Sequence, residues 1–183
     1  LARIISRASY GYTLLDDTHL RAAGATGDAG APLHGYYVTD KAGEACRVLT
    51  IDRGLRGRIP FADVPDLMGY LHGQRGRTLT YGDDVEKFGL WPTTQIRVWK
   101  QGWFETMLCA FDEAQEWLET ILPRDLLRST RPQGRVYIPT ISYAEMGAWT
   151  LPPQPAAEHQ ALAEHLGHHG MGERAEAFLR GGI

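Results

Sequence analysis

The run Thr78-Leu79-Thr80-Tyr81-Gly82-Asp83-Asp84 constrains this chain most, because an alternating strand pattern stops at a glycine and acids follow at once. Residues 78–81 read as a short β-strand, and Gly82 ends it so that the acids emerge at its carboxyl end. Barrels and open α/β sheets carry their chemistry at that end. The segment continues Val85-Glu86-Lys87-Phe88-Gly89-Leu90-Trp91-Pro92, which adds a third acid, a lysine and two aromatic rings.

The flanking pattern predicts an α/β fold. Residues 9–15 read as a strand ending at Asp16-Asp17, and residues 22–32 as a Gly/Ala-rich loop. Residues 36–39 and 47–51 suggest two strands paired as a hairpin. Residues 62–73 place Val64, Leu67, Met68 and Leu71 on one helical face. A helix is expected to begin at 94–98, and a longer one over 103–122 carries the apolar stripe Phe104, Leu108, Phe111, Leu118 and Ile121. Residues 136–139 read as a last strand and 155–179 as a polar helical tail. Strands alternating with helices favour a parallel sheet.

Composition excludes several classes. With 43% hydrophobic and 22% charged residues and a formal net charge of -3, the chain is long enough at 183 residues for a real core. No apolar run approaches the ~20 residues that span a bilayer, so no membrane partner is expected. Basic residues are scattered apart from Arg53-Gly-Leu-Arg-Gly-Arg58, read as a solvated turn, so no nucleic acid partner is expected. Cys46 and Cys109 lack metal or redox spacing and fit a reducing cytosol, which places the protein in the cytoplasm. His165, His168 and His169 near one helix face lack acid or cysteine partners, and a surface helix end accounts for them better than zinc. There is no phosphate-cradling glycine loop and no Gly-x-Ser-x-Gly elbow.

In an extended backbone Asp84 and Glu86 would share a face, and mutual repulsion would raise one carboxyl towards a proton donor near neutral pH. Lys87 would hold the other carboxyl as an anion. Phe88 and Trp91 offer flat apolar faces that suit the C–H face of a pyranose ring or the filling of a core. The same residues also fit a solvated acidic loop with its aromatics packed inward. A further alternative is a metal-dependent hydrolase in which Asp16, Asp17, His19 and Asp84 hold a divalent cation. Trp99, Trp103 and Trp117 read as core or groove wall.

The segment from Asp84 to Pro92 resembles the fourth conserved region of glycoside hydrolase family 57, the α-glucan-active amylases and 4-α-glucanotransferases, whose pattern there is Asp-Gly-Glu-Lys-Phe-Gly-x-Trp-Pro. Val85 stands where that family usually has glycine. Tyr137-Ile-Pro-Thr-Ile-Ser-Tyr-Ala-Glu-Met-Gly-Ala-Trp-Thr-Leu-Pro152 is similar to the fifth region, with Ala148 at a usually acidic position. Weaker echoes are Leu15-Asp-Asp-Thr-His19, Ile51-Asp52, the stretch 55–61 and Arg180-Gly-Gly182, in the family's order.

Carried over residue by residue, the resemblance implies that Asp84 is the general acid/base. Trp91 and Trp149 would stack on glucose units, Glu86, Lys87, Phe88 and Glu145 would support the site, and His19 and Asp17 would line its floor. The implied substrate is an α-1,4-glucan or maltooligosaccharide, with no cofactor and no metal. The implied fold is a partial (β/α)7-type barrel with parallel strands and flanking helices. Residues 1–183 would form one segment whose N-terminal barrel part is absent, and 153–183 would be a helical tail leading into the next domain. A retaining mechanism needs a second carboxylate about 5 Å from the first. Nothing here matches the region that supplies it, so the nucleophilic Glu is expected upstream of Leu1, and the segment alone is expected to turn over little. Three readings follow: a retaining α-glucan hydrolase or transferase, a non-catalytic α-glucan-binding protein, and the metal-dependent hydrolase.

Overall fold

A computed structural model describes residues 2–27, 32–139 and 151–171, and the chain divides into two compact units, residues 1–138 and 139–183. In the first unit three strands form a mixed sheet in the order β1-β3-β2. Strand β1 (Thr13–Asp16) runs parallel to β3 (Glu44–Ile51), pairing Thr13 with Val48 through to Asp16 with Ile51. Strand β2 (Tyr36–Lys41) runs antiparallel to β3, from Tyr36 opposite Leu49 to Lys41 opposite Glu44.

The expected hairpin is therefore present and longer than its apolar run, while the expected parallel sheet is corrected to a mixed one. The reason lies at Ala42 and Gly43, which adopt φ of 54° and 82°. Two left-handed residues in a two-residue loop fold the chain straight back on itself, a connection that only antiparallel strands can use.

The strand expected at 78–81 shrinks to a single parallel bridge, Ile51 with Thr80, and the one expected at 136–139 is replaced by a bridge just before it, Val38 with Arg135. Thr80 sits beside the end of β3 on the edge away from β1, where the Asp52 amide donates to its carbonyl at 2.9 Å. The acids that follow β1, β3 and Thr80 consequently leave the sheet at one end.

Successive residues of a strand face opposite ways, and here both faces are covered. Tyr37 and Val48 join Leu20, Leu33 and Val136 in one core cluster, whereas Tyr36 and Leu49 join Leu126 in another. Helix α1 (Ala2–Arg7) lies against β2 and β3, and α2 (Asp17–Ala22) follows β1 directly. A third cluster binds α3 (Arg53–Arg58), α4 (Val64–Gly73) and α5 (Trp103–Glu113) through Leu55, Ile59, Val64, Leu67, Trp103 and Met107.

Helix α5 stops at Glu113, well short of residue 122, and presents Trp103 and Met107 to the core while Leu108 is half exposed. The helix expected at 94–98 is a π-helical turn, Ile96–Lys100. Helix α6 (Pro123–Ser129) is the last described helix of the first unit. In the second unit, α7 (Pro153–His168) is the expected polar helix and has no buried residue. Among the described residues no helix is long and apolar enough to cross a membrane.

Candidate active site

Three acids at the common strand end are bound into the scaffold. Asp16 caps α2, its Oδ1 accepting from the Thr18 amide at 3.0 Å and the Thr18 hydroxyl at 2.7 Å. Burial alone would raise its carboxyl, but the Thr18 bonds and the Arg53 and Arg56 charges together hold it below the ordinary aspartate value. Asp52 caps α3 by accepting from the Leu55 amide at 2.7 Å, and the Tyr70 hydroxyl donates to its two oxygens at 2.9 and 3.0 Å. Burial and that carboxylate push the Tyr70 hydroxyl well above the usual tyrosine range. Gly54 makes room for this contact, since a Cβ there would meet the Tyr70 oxygen at 2.3 Å.

Asp83 is the most deeply held of the three. Its carboxylate is 1% exposed, accepts from Lys87 Nζ at 2.6 Å and Arg56 at 3.3 Å, and also receives the Asp84 amide at 2.9 Å. Arg56 donates its other nitrogen to Asp16 at 3.2 Å, so one guanidinium stitches the end of β1 to the 83–91 segment. Sequence reading placed Arg56 in a solvated turn; in the fold it is a part-buried crosslink, because its partners lie 40 and 27 residues away.

Asp84 differs from all three. It precedes a 3₁₀ turn, Val85–Phe88, is exposed, and among the described residues its carboxylate has no hydrogen-bond or ion-pair partner. The chain turns at Val85 instead of staying extended, so Asp84 and Glu86 do not share a strand face. Lys87 is correspondingly paired with Asp83, not with either of them. Val85 is absent from the residues with positive φ, so the side chain that replaces glycine brings no backbone strain, and it points into solvent at 85% exposure.

The remaining side chains of the segment divide by orientation. Phe88 packs edge-on to Phe104 with centroids 5.9 Å apart, and the Trp99 indole donates to the Phe88 carbonyl at 2.6 Å. Glu86 accepts from the Trp91 indole at 3.1 Å and so orients it. Trp91 lies 5.9 Å from Phe61 at a 32° tilt, and Lys87 Nζ sits over both rings, 5.1 Å from Trp91 and 5.4 Å from Phe61. Sequence reading missed Phe61 and Asp83. The spacing of Asp83 and Lys87, four apart with opposite charge, was the available signal for the second.

Asp17 and His19 lie on α2. Asp17 pairs with Arg21 at 3.2 Å, yet Asp17 Oδ1 and His19 Nδ1 are buried without a hydrogen-bond partner. Burial raises the Asp17 carboxyl and the adjacent Asp16 adds to this, partly offset by Arg21. No hydrogen bond joins His19 or Asp17 to Asp84. Among the described residues no group of three or more His, Cys, Asp or Glu is arranged to hold a metal ion, and Asp16 is already committed to Thr18 and Arg56. The proposed set Asp16, Asp17, His19 and Asp84 is thus not assembled as ligands. Glu145, Ala148 and Trp149 lie outside the described residues. An apolar cavity of about 660 Å³ lies behind the segment, with Tyr81, Phe88 and Phe111 among its walls, and Asp84 does not line it.

Comparison with known proteins bears on this arrangement. The sequence pattern described as Glycosyl hydrolase family 57 matches residues 1–139. Over its whole length the chain is 35% identical to proteins named alpha-amylase from Pyrococcus abyssi and 4-alpha-glucanotransferase from Thermococcus kodakarensis, and it spans 28% of the length of each. The crystal structure of 4-alpha-glucanotransferase from Thermococcus litoralis superimposes with a TM-score of 0.84 at 33% identity, covering 97% of this chain and 28% of that one.

Proposed function

The chain belongs to glycosyl hydrolase family 57, and from that premise we propose that the protein is a retaining α-glucan hydrolase or 4-α-glucanotransferase whose general acid/base is Asp84. The observation that carries this reading is the contrast within one dipeptide: Asp83 is buried and doubly paired, while Asp84 beside it is exposed with its carboxylate unpartnered among the described residues. A carboxyl that must give up and take back a proton needs access to substrate and freedom from a permanent cation. Among the described residues Asp84 has both, on a backbone anchored through Asp83.

In this reading Asp84 protonates the leaving glycosidic oxygen, then removes the proton of an incoming water or sugar hydroxyl. Water yields hydrolysis and a glucan hydroxyl yields transfer. The partner carboxylate, a Glu about 5 Å away, comes from sequence preceding this chain. The mixed sheet is one part of a barrel that this preceding sequence completes, and residues 153–183 lead towards the next domain. Trp91, oriented by Glu86, stacks on an α-1,4-glucan or maltooligosaccharide, Trp149 does likewise, and Lys87, Phe88 and Glu145 support the site. Asp17 and His19 belong to its floor. Free Cys46 and Cys109 accord with a cytoplasmic setting.

The test uses the complete reading frame that contains this chain, as wild type and as Asp84→Asn, assayed on maltooligosaccharides. Turnover is expected to fall by about 10²–10⁴ while oligosaccharide binding persists, the scale of losing general acid/base catalysis. An Asp84→Asn enzyme with wild-type turnover rejects the assignment.

A further inference from the structure

Phe61 is a large apolar side chain that the core does not use. It is 41% exposed, and neither it nor Trp91, at 37%, belongs to a core cluster of the unit. Exposed apolar residues are common singly, but the backbone that carries this one is pinned on both sides. Arg97 donates to the Pro60 carbonyl at 2.7 Å and to the Asp63 carboxylate at 2.9 Å, and the Trp103 indole donates to the Ala62 carbonyl at 2.7 Å. Trp91 is held as firmly, by Glu86 on its indole and by Thr94, whose hydroxyl donates to the Trp91 carbonyl at 2.8 Å. Two half-exposed rings on rigid supports keep their mutual tilt of 32° without help from a packed core.

Lys87 contacts both members of the pair. Its side chain is 7% exposed, and its ammonium lies over both rings and is tied to the buried Asp83 carboxylate, so it occupies the protein-facing side of the pair. Both rings keep exposed surface, 41% for Phe61 and 37% for Trp91, and the buried cation drawn against them helps to hold both in place. Two partly exposed rings with centroids 5.9 Å apart offer apolar faces of the kind that suits the C–H face of a pyranose.

We propose that Phe61 and Trp91 together form one pyranose-binding platform beside Asp84, and that Phe61 is a determinant of affinity for the glucose unit bound there. This rests on the α-glucan reading above. Lys87 links platform and acid physically, since the ammonium that underlies both rings pairs with the residue immediately before Asp84. Phe61 acts by stacking and takes no part in proton transfer, so its removal weakens binding more than it slows the chemical step.

The experiment compares wild type, Phe61→Ala, Phe61→Leu and Phe61→Trp in the complete reading frame, with steady-state kinetics and tryptophan-fluorescence titration on maltotetraose. The proposal expects KM and Kd to rise about 3- to 10-fold in Phe61→Ala and Phe61→Leu with kcat little changed, and Phe61→Trp to restore both, as lost ring stacking predicts. Phe61→Leu keeps apolar bulk, so a folded Leu variant with wild-type KM and Kd overturns the platform. An active wild type with unaltered variants sinks this inference alone, whereas a wild type that neither binds nor converts maltotetraose sinks the α-glucan reading together with it.

Discussion

The acids at the ends of β1 and β3 and the acid that follows Asp83 sit at the same end of the same sheet, yet they have opposite fates. Asp16 and Asp52 each cap a helix and each accept a second side-chain donor, Arg56 and Tyr70 respectively. Asp84 also precedes a helical turn but makes no side-chain cap bond. A carboxylate whose acceptor sites are filled by fixed donors stabilises the fold and is unavailable for chemistry. One held open on a fixed backbone is available for it. Position at the strand end therefore narrows the candidates, and partnering decides among them.

That comparison breaks most sharply within the Asp83-Asp84 pair. Asp83→Ala leaves Lys87 buried without its counter-charge and deprives Arg56 of a partner, so stability should drop by about 3–5 kcal/mol in denaturant melts. Asp84→Asn should shift the same melts by less than about 0.5 kcal/mol, because nothing in the described fold leans on that carboxylate. Equal losses in the two variants would erase the distinction between a structural and a chemical acid.

A smaller effect is expected at Asp52. Tyr70→Phe removes a hydrogen bond to a buried carboxylate, worth about 1–3 kcal/mol. The folded-state Tyr70 hydroxyl titrates above its unfolded value of 10.0, so its contribution is complete below pH 10 and disappears as pH rises through the folded value. Wild type should therefore lose stability in alkali faster than Tyr70→Phe, which alkaline melting curves would read directly.

Asp16 provides the acid counterpart. Its carboxyl lies below the ordinary 3.8 in the fold, so the stability it contributes is present above that pH and is lost as pH falls through the folded value. Asp16→Asn should flatten the decline of melting temperature below pH 3.8 while lowering the plateau above it. An unchanged acid slope would mean that the Thr18 and Arg56 contacts do not stabilise the anion.

The smallest effect is reserved for Val85→Gly. It restores the residue usual in the family at an exposed position whose φ is already accessible to valine, so turnover should stay the same and stability should fall by about 0.5–1 kcal/mol from added backbone freedom. A gain in turnover would show that the β-branched side chain hinders the acid after all.

Local readings succeeded where local physics decides. Val64 and Leu67 are buried on α4 at the expected spacing, and the hairpin of β2 and β3 follows from two strand-like runs around a short polar turn. Acids after the 78–81 run do leave the sheet at the carboxyl ends of β1 and β3, although the run itself pairs through one bridge only. The family was legible as well, because its motifs are contiguous in sequence. Strand direction was not, since an alternating run carries no label for parallel or antiparallel pairing until its connection is known.

What the sequence by itself determined was the inventory: which acids, rings and cations occur, in what order, and which family they match. Tertiary structure alone decided their partners. Arg56 looked like part of a solvated basic turn until folding brought it between Asp16 and Asp83, and Phe61 was only the end of the weak family echo at 55–61 until it stood beside Trp91. Charge pairing and ring contact depend on distances of a few ångströms between residues tens of positions apart, and only the packed chain sets those distances.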